Sequence, residues 1–195
     1  MPYRIINYVF LLTGLMLNFP AYATEARVSM LVDTCVACHG INGSSVGPAT
    51  PSISGMRESL FVKAMEDMKT GKRPSTVMAI IAKGYTSREI AMMAAYFHKQ
   101  PTMRYSQSFD EEKAQRGKVL YEQYCSGCHK IKGKRKPLSN KIAGQWMPYL
   151  RIRLSELRSG ADSTSPIMTS ALKHFLKKNS EESLEDIIHF YGSLK

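Results

Sequence analysis

Two short stretches of this 195-residue chain, CVACHG at residues 35–40 and CSGCHK at residues 125–130, contain the residues best suited to chemistry. Each contains Cys-x-x-Cys-His, and together they use all four cysteines. The pattern is typical of covalent haem attachment, because the two thiols add to the vinyl groups of the porphyrin and the histidine binds the iron. A zinc ribbon would place its two cysteine pairs within about twenty residues of each other, and zinc would leave both histidines unexplained. The sequence therefore predicts two covalently bound haem c groups. The predicted attachment residues are Cys35, Cys38, Cys125 and Cys128, and the predicted histidine ligands of the irons are His39 and His129.

The chain is a tandem repeat, and the repeat includes a methionine. The two motifs align with an offset of ninety residues, and Met78 and Met168 align with the same offset, each 39 residues after its histidine. A neutral thioether opposite a neutral imidazole favours ferrous iron, which raises the reduction potential and suits an electron carrier. We therefore expect Met78 and Met168 to be the second axial ligands. Core packing is the alternative role for any one of the twelve methionines, but the repeat pairs these two.

Apolar residues recur at three- and four-residue spacing, and no alternating strand pattern competes, so the sequence predicts an all-α fold. Each half should contain a helix that runs into the motif, a middle helix, a loop with the methionine and a closing helix. The predicted entering helices cover residues 26–34 and 110–124, and the middle helices cover residues 59–70 and 147–159. The closing helices are predicted to bury Ile90, Met93, Ala94 and Phe97 in the first half, and Leu184, Ile187, Ile188 and Tyr191 in the second.

A proline follows each motif histidine, Pro48 in the first half and Pro137 in the second. In such a loop a backbone carbonyl could accept the Nδ1 proton of the histidine and fix its ring. The alternative is that each proline only shapes a turn.

The N-terminal residues predict export. Arg4 precedes a short apolar run that ends in Ala21-Tyr22-Ala23, which is typical of a cleaved signal peptide. The run is too short to cross a bilayer; an uncleaved anchor is the alternative. We therefore predict a periplasmic protein with no membrane span in its mature form. The predicted segments are a signal peptide (1–23), a first domain (24–100), a linker (101–109) and a second domain (110–195).

The formal net charge of +11 is strongly basic. Nucleic acid is not an expected partner, because an exported protein rarely meets it. Six basic residues cluster after the second motif, either as a solvated loop or as a docking surface for an acidic redox partner. They are Lys130, Lys132, Lys134, Arg135, Lys136 and Lys141.

The order of motif, proline loop, methionine and closing helix resembles that of class I cytochromes c, and its tandem form resembles two-haem members of that family. The strings GPATPSISGM, STVMAIIAKGY and AGQWMPYL resemble the cytochrome subunits of flavocytochrome c sulfide dehydrogenases. The resemblance implies two tandem class I cytochrome c domains, each wrapped around one haem. It also implies a heterodimer with a flavoprotein subunit that carries FAD and oxidises sulfide, so that this chain has no catalytic residue of its own. The electrons would pass to a soluble cytochrome or another periplasmic acceptor.

Two other functions compete with this one. A free-standing di-haem cytochrome c could deliver electrons to a terminal oxidase without any flavoprotein. A haem enzyme would need one iron without its methionine, which the pairing of Met78 with Met168 argues against.

Overall fold

The computed structural model describes residues 19–131 and 142–194, with side chains from residue 26 onward. These residues form eight α-helices and two short irregular helices, which are joined by loops. These residues contain no β-strand, so the all-α prediction is confirmed. In chain order the elements are α1 (Phe19–His39), a 3-10 turn (Ile41–Gly43), α2 (Glu58–Lys69), α3 (Val77–Lys83), α4 (Ser87–Lys99), α5 (Glu111–Leu120), a π-helical turn (Tyr121–Cys125), α6 (Met147–Ser159), α7 (Pro166–Leu176) and α8 (Glu181–Ser193).

Polar side chains fix where two of these helices begin. The Thr86 hydroxyl accepts a hydrogen bond from the N–H of Glu89, while the Glu89 carboxylate accepts from the N–H of Thr86, so a reciprocal capping box starts α4. The Asp110 carboxylate accepts from the N–H of Lys113 at 2.9 Å and starts α5. The acidic start that the sequence places at residue 110 therefore acts as a helix cap.

The first helix is longer than the predicted 26–34. It begins at Phe19 and continues through both cysteines to His39, because no helix-breaking residue interrupts the motif. Gly40 then ends the helix with a φ of 73°, and a Cβ at this position would lie 2.1 Å from the carbonyl oxygen of Ser44. Only glycine fits this turn without strain.

The two repeat methionines were predicted to lie in loops, but the structure places both on helices. Met78 is the second residue of α3, and Met168 is the third residue of α7. Pro166 at the first position of α7 favours a helix start there, since its fixed φ suits that position.

Each half has its own hydrophobic core. The first is built around Ile90, Met93 and Phe97 of α4, each at most 1% exposed. The second is built around Ile187, Ile188 and other residues of α8. The predicted buried stripes of both closing helices are therefore confirmed. The boundaries 24–100, 101–109 and 110–195 stay a prediction.

Side chains also join the two halves. The indole Nε1–H of Trp146 donates to the carbonyl oxygen of Ser45 at 3.0 Å. Gln145 makes two hydrogen bonds to the backbone of Ser52, and the guanidinium of Arg73 donates to the Tyr149 hydroxyl at 3.3 Å. The turn before α6 thus packs on the loop that follows the first motif, and Tyr149 of α6 contacts Arg73, which follows α2.

Three predictions fall wholly or partly outside the described residues. Of the signal peptide (1–23) only residues 19–23 are described, as part of α1. Pro137 and every member of the basic cluster except Lys130 lie in 132–141, outside the described ranges. Among the helices that are described, none is long and apolar enough to cross a membrane.

Candidate haem sites

The first motif occupies the C-terminal end of α1. His39 is 7% exposed, and its Nδ1 lies 2.8 Å from the carbonyl oxygen of Pro51. A carbonyl oxygen can only accept, so Nδ1 carries the proton and the lone pair of a neutral ring is on Nε2. The prediction of a loop carbonyl behind the histidine is correct for the first half, and the acceptor belongs to Pro51, three residues after Pro48.

Burial favours the neutral form of the His39 imidazole. Removal from water lowers its pKa, and the hydrogen bond to the Pro51 carbonyl opposes this only in part. A neutral ring with its lone pair on Nε2 is the form that binds iron.

Cys35 and Met78 lie against the same core, the one that contains Met93 and Phe97. Burial raises the pKa of the Cys35 thiol. The N–H of Met78 donates to the Ser75 hydroxyl at 3.2 Å, which fixes the first turn of α3. The fold therefore brings Cys35 and Met78, which are 43 positions apart in sequence, into one apolar environment.

The second motif follows a π-helical turn. The N–H of Ser126 donates to the carbonyl oxygen of Tyr121, five residues back, at 2.9 Å. Cys125 is the last residue of this wider turn and packs against the core of the second half. Such turns are frequent at functional sites. The Tyr121 hydroxyl donates to the carbonyl oxygen of His129 at 2.9 Å and anchors the end of the motif.

The protonation of the second motif resembles that of the first. Burial raises the pKa of the Cys125 thiol to about 11 and lowers the pKa of His129. Met168 lies against the same core as Cys125. Each half therefore gathers one motif cysteine and one repeat methionine on a single core.

A buried ion pair holds the segment that leads to Met168. The Asp162 side chain is 0% exposed and accepts from the Arg153 guanidinium. It also accepts from the N–H and the hydroxyl of Thr164, at 2.7 and 2.6 Å. Burial acts to raise the pKa of Asp162, but these hydrogen bonds and the Arg153 charge outweigh it and hold the pKa below its ordinary value.

The residues present fit a haem in each half. Thiols, a neutral imidazole and a thioether are the donors that a c-type haem uses. Some buried polar atoms also lack a hydrogen-bond partner within the described part of the chain. The Tyr191 hydroxyl and the Arg73 Nε are two of them. Tyr191 lies close enough to Cys125 for the thiol to influence its pKa, which burial raises. The polar edge of a haem would supply partners of the kind these atoms lack.

Sequence reasoning missed Gln145 and Trp146. They lie outside both motifs, and the side chain of Gln145 reaches the backbone of Ser52, which is 93 positions away. The single tryptophan of the chain was the available signal, because an isolated large aromatic residue often anchors an interface. The other three histidines, His98, His174 and His189, lie exposed or half-buried at the surface.

Comparison with known proteins agrees with this geometry. The Cytochrome c family model matches residues 114–195. Cytochrome c4 of Azotobacter vinelandii is 30% identical over 159 residues, which cover 70% of this chain and 74% of that protein. The cytochrome subunit of sulfide dehydrogenase of Chlorobaculum tepidum is 45% identical over 74 residues, 38% of this chain and 66% of that protein.

Solved structures give the same fold. Reduced recombinant cytochrome c4 from Pseudomonas stutzeri superposes with a TM-score of 0.74 at 25% identity, over 88% of this chain and 98% of that chain. The chain belongs to the class I cytochromes c, as a di-haem, cytochrome c4-like member. It carries two covalent haem c groups and transfers electrons.

Proposed function

We propose that each iron in this chain is six-coordinate, with His39 and Met78 on the first and His129 and Met168 on the second. The observation that carries the proposal is the gathering of a motif cysteine and the repeat methionine on one core in each half. Chance placement of core methionines would not reproduce the same pairing in both halves.

The side chains around each site suit electron exchange without substrate binding. A c-type haem, when bound, supplies a one-electron couple. The Pro51 carbonyl orients His39, and each apolar core covers part of its methionine side chain. Two protein ligands on each iron leave no open position for substrate, so this chain needs no catalytic residue.

We further propose that the electrons come from a flavoprotein subunit that contains FAD and oxidises sulfide. The support is the 45% identity to the cytochrome subunit of a sulfide dehydrogenase, higher than the 30% to cytochrome c4. Two one-electron haems match a donor that releases two electrons, as a reduced flavin does. The acceptor would be a soluble cytochrome or a similar carrier in the periplasm, where the signal at residues 1–23 would deliver the chain.

A free-standing shuttle to a terminal oxidase is the second candidate. It is favoured by the span of the cytochrome c4 match, 70% of this chain against 38% for the sulfide dehydrogenase subunit.

Substitution of one methionine tests the ligand assignment. Met168→Ala should remove the His/Met spectrum from the second haem and lower its reduction potential, while the first haem keeps both properties. Met78→Ala should do the reverse, and Met93→Leu, which changes a buried methionine of the first core, is the control that should alter neither spectrum. An unchanged His/Met spectrum in Met168→Ala would show that the assignment is wrong.

Removal of the second pair of thiols tests attachment. Cys125→Ser with Cys128→Ser should leave one covalent haem per chain and a poorly folded second half, because the haem forms much of that core. Mass spectrometry counts the haems; two attached haems would contradict the proposal.

Affinity purification from the native periplasm tests the partner. The tagged, haem-loaded protein should elute with a larger chain and a flavin band, and sulfide should reduce both haems. Elution of the di-haem protein alone, with no reduction by sulfide, would favour the free-standing shuttle.

A further inference from the structure

A dipeptide of the second half, Gln145-Trp146, holds the loop that follows the first haem motif. The Gln145 Oε1 accepts from the N–H of Ser52 at 3.0 Å, and its Nε2 donates to the carbonyl oxygen of Ser52 at 3.1 Å. Gln145 is only 8% exposed. These two hydrogen bonds fix both the position and the orientation of the Ser52 backbone.

The tryptophan holds the other end of the same loop. Its Nε1–H donates to the carbonyl oxygen of Ser45, and its ring lies so close to Gly47 that a Cβ there would be 2.6 Å from it. The N–H of Ser45 donates to the Ser52 hydroxyl at 3.0 Å, which joins the two ends of the loop. The loop is therefore bound as one unit by the second half.

The unit held in this way includes the acceptor for the motif histidine. Pro51, whose carbonyl oxygen lies 2.8 Å from His39 Nδ1, directly precedes Ser52. Gln145 is anchored in its own half, since its N–H donates to the carbonyl oxygen of Ile142 at 3.1 Å. A short path of hydrogen bonds thus runs from the second half through Ser52 and Pro51 to His39.

We propose that Gln145 is a positioning residue through which the second half tunes the reduction potential of the first haem. This inference rests on His39 as an iron ligand, which is part of the proposed function. Donation from Nδ1 to a well-placed carbonyl makes the imidazole a more basic ligand, and a more basic ligand stabilises ferric iron. The side chain of Gln145 therefore lowers the potential of the first haem and leaves the second haem unaffected.

The test is a substitution in the haem-loaded full chain. Gln145→Met keeps the length of the side chain and removes both hydrogen bonds to Ser52. We expect the midpoint potential of the first haem to rise while that of the second stays constant, in a redox titration that resolves the haem methyl signals by NMR. The Nδ1 proton of His39 should also exchange faster with solvent.

Asn179→Leu is the control. The Asn179 side chain donates to the carbonyl oxygen of Phe175 at 3.1 Å, and both residues lie in the second half. It should leave the potential of the first haem unchanged. If Gln145→Met does not accumulate as a haem-loaded protein, Gln145→Asn, which keeps a neutral amide on a side chain one methylene shorter, should give a smaller rise.

The outcomes separate this inference from the proposed function. The His39 ring signals of the ferric wild-type protein should be shifted by the iron; signals in the diamagnetic range would overturn the ligand assignment. Shifted His39 signals with an unchanged first-haem potential in Gln145→Met would overturn only the positioning role. An equal rise in Asn179→Leu would also overturn it, because general loosening of the second half would then be the cause.

Discussion

Replacement of Gly117 by alanine should destabilise the second half strongly, because the added methyl group has no space. Gly117 lies on α5 where this helix crosses α8, and it is buried. A Cβ at this position would lie 1.9 Å from the carbonyl oxygen of Asp186 and 2.9 Å from the N of Ile187. Both are backbone atoms of a helix, so no change of rotamer can relieve the overlap.

The magnitude follows from two opposing contributions. Restoring an ordinary contact requires α5 and α8 to separate by roughly 1.5 Å, and overpacking of this kind costs about 3 kcal/mol. The separation also stretches the paired hydrogen bonds between Arg116 and Asp186, both 2.9 Å long. Alanine favours the helix interior over glycine by about 1 kcal/mol. The expected net loss is about 2 kcal/mol, or about 8–16 °C in the melting temperature of a domain of this size.

The assay is thermal unfolding of the haem-loaded protein, followed by circular dichroism and by the haem absorbance of each half. Gly84→Ala is the control, because Gly84 has an ordinary helical φ of −73° and its Cβ would lie 3.4 Å from the nearest atom. It should change stability by about 0.5 kcal/mol or less. A Gly117→Ala protein that melts within this margin of wild type would refute the close approach of α5 and α8.

Two further predictions concern the polar contacts of the second half. The His189 Nδ1 accepts from the N–H of Asp110 at 2.9 Å, and burial, with nearby cations, lowers the pKa of His189. The unfolded chain therefore binds more protons than the folded chain near this pKa. The stability of the fold should fall as the pH drops below the ordinary histidine pKa of about 6.5. His189→Gln, which does not titrate, should flatten this part of the pH profile of unfolding, and an unchanged slope would contradict the assignment. Asp162→Asn should cost about 2 kcal/mol, because the buried carboxylate that accepts from Arg153 and Thr164 is lost and the half-buried Arg153 is left with Glu156 as its anionic partner, and should broaden the spectrum of the second haem. Glu185→Gln, in an exposed ion pair, should cost about 0.5 kcal/mol or less in chemical denaturation, and similar losses for both variants would show that the buried pair has no special role.

Local patterns predicted the helices well. The stripe from Ile90 to Phe97 and the helix over 147–159 follow from apolar spacing, which acts within a few turns of chain. The haem motifs were equally visible, because the chemistry of attachment confines two thiols and a histidine to five neighbouring residues. These features need no knowledge of distant contacts.

Features that depend on distant contacts were not predictable in this way. Gln145 and Ser52 are 93 positions apart, and their pairing arises only when the two halves pack. The helical position of Met78 was missed because the polar residues before it suggested a continuing loop, whereas the Ser75 hydroxyl accepts from the Met78 N–H at the start of α3. The acceptor for His39 was placed in the correct loop, but its identity as Pro51 depends on how that loop folds back.

The segment between the halves has a kinetic consequence. The Thr102 hydroxyl donates to the carbonyl oxygen of Ser54, and the N–H of Met103 donates to the Ser44 hydroxyl, both at 3.1 Å. Gln107 is bonded to the second half. The linker is therefore hydrogen-bonded to the first half at one end and to the second half at the other. An electron that passes between haems held by the two halves would therefore move within one molecule, so its rate should not depend on dilution or on solvent viscosity, unlike the encounters with a donor or an acceptor.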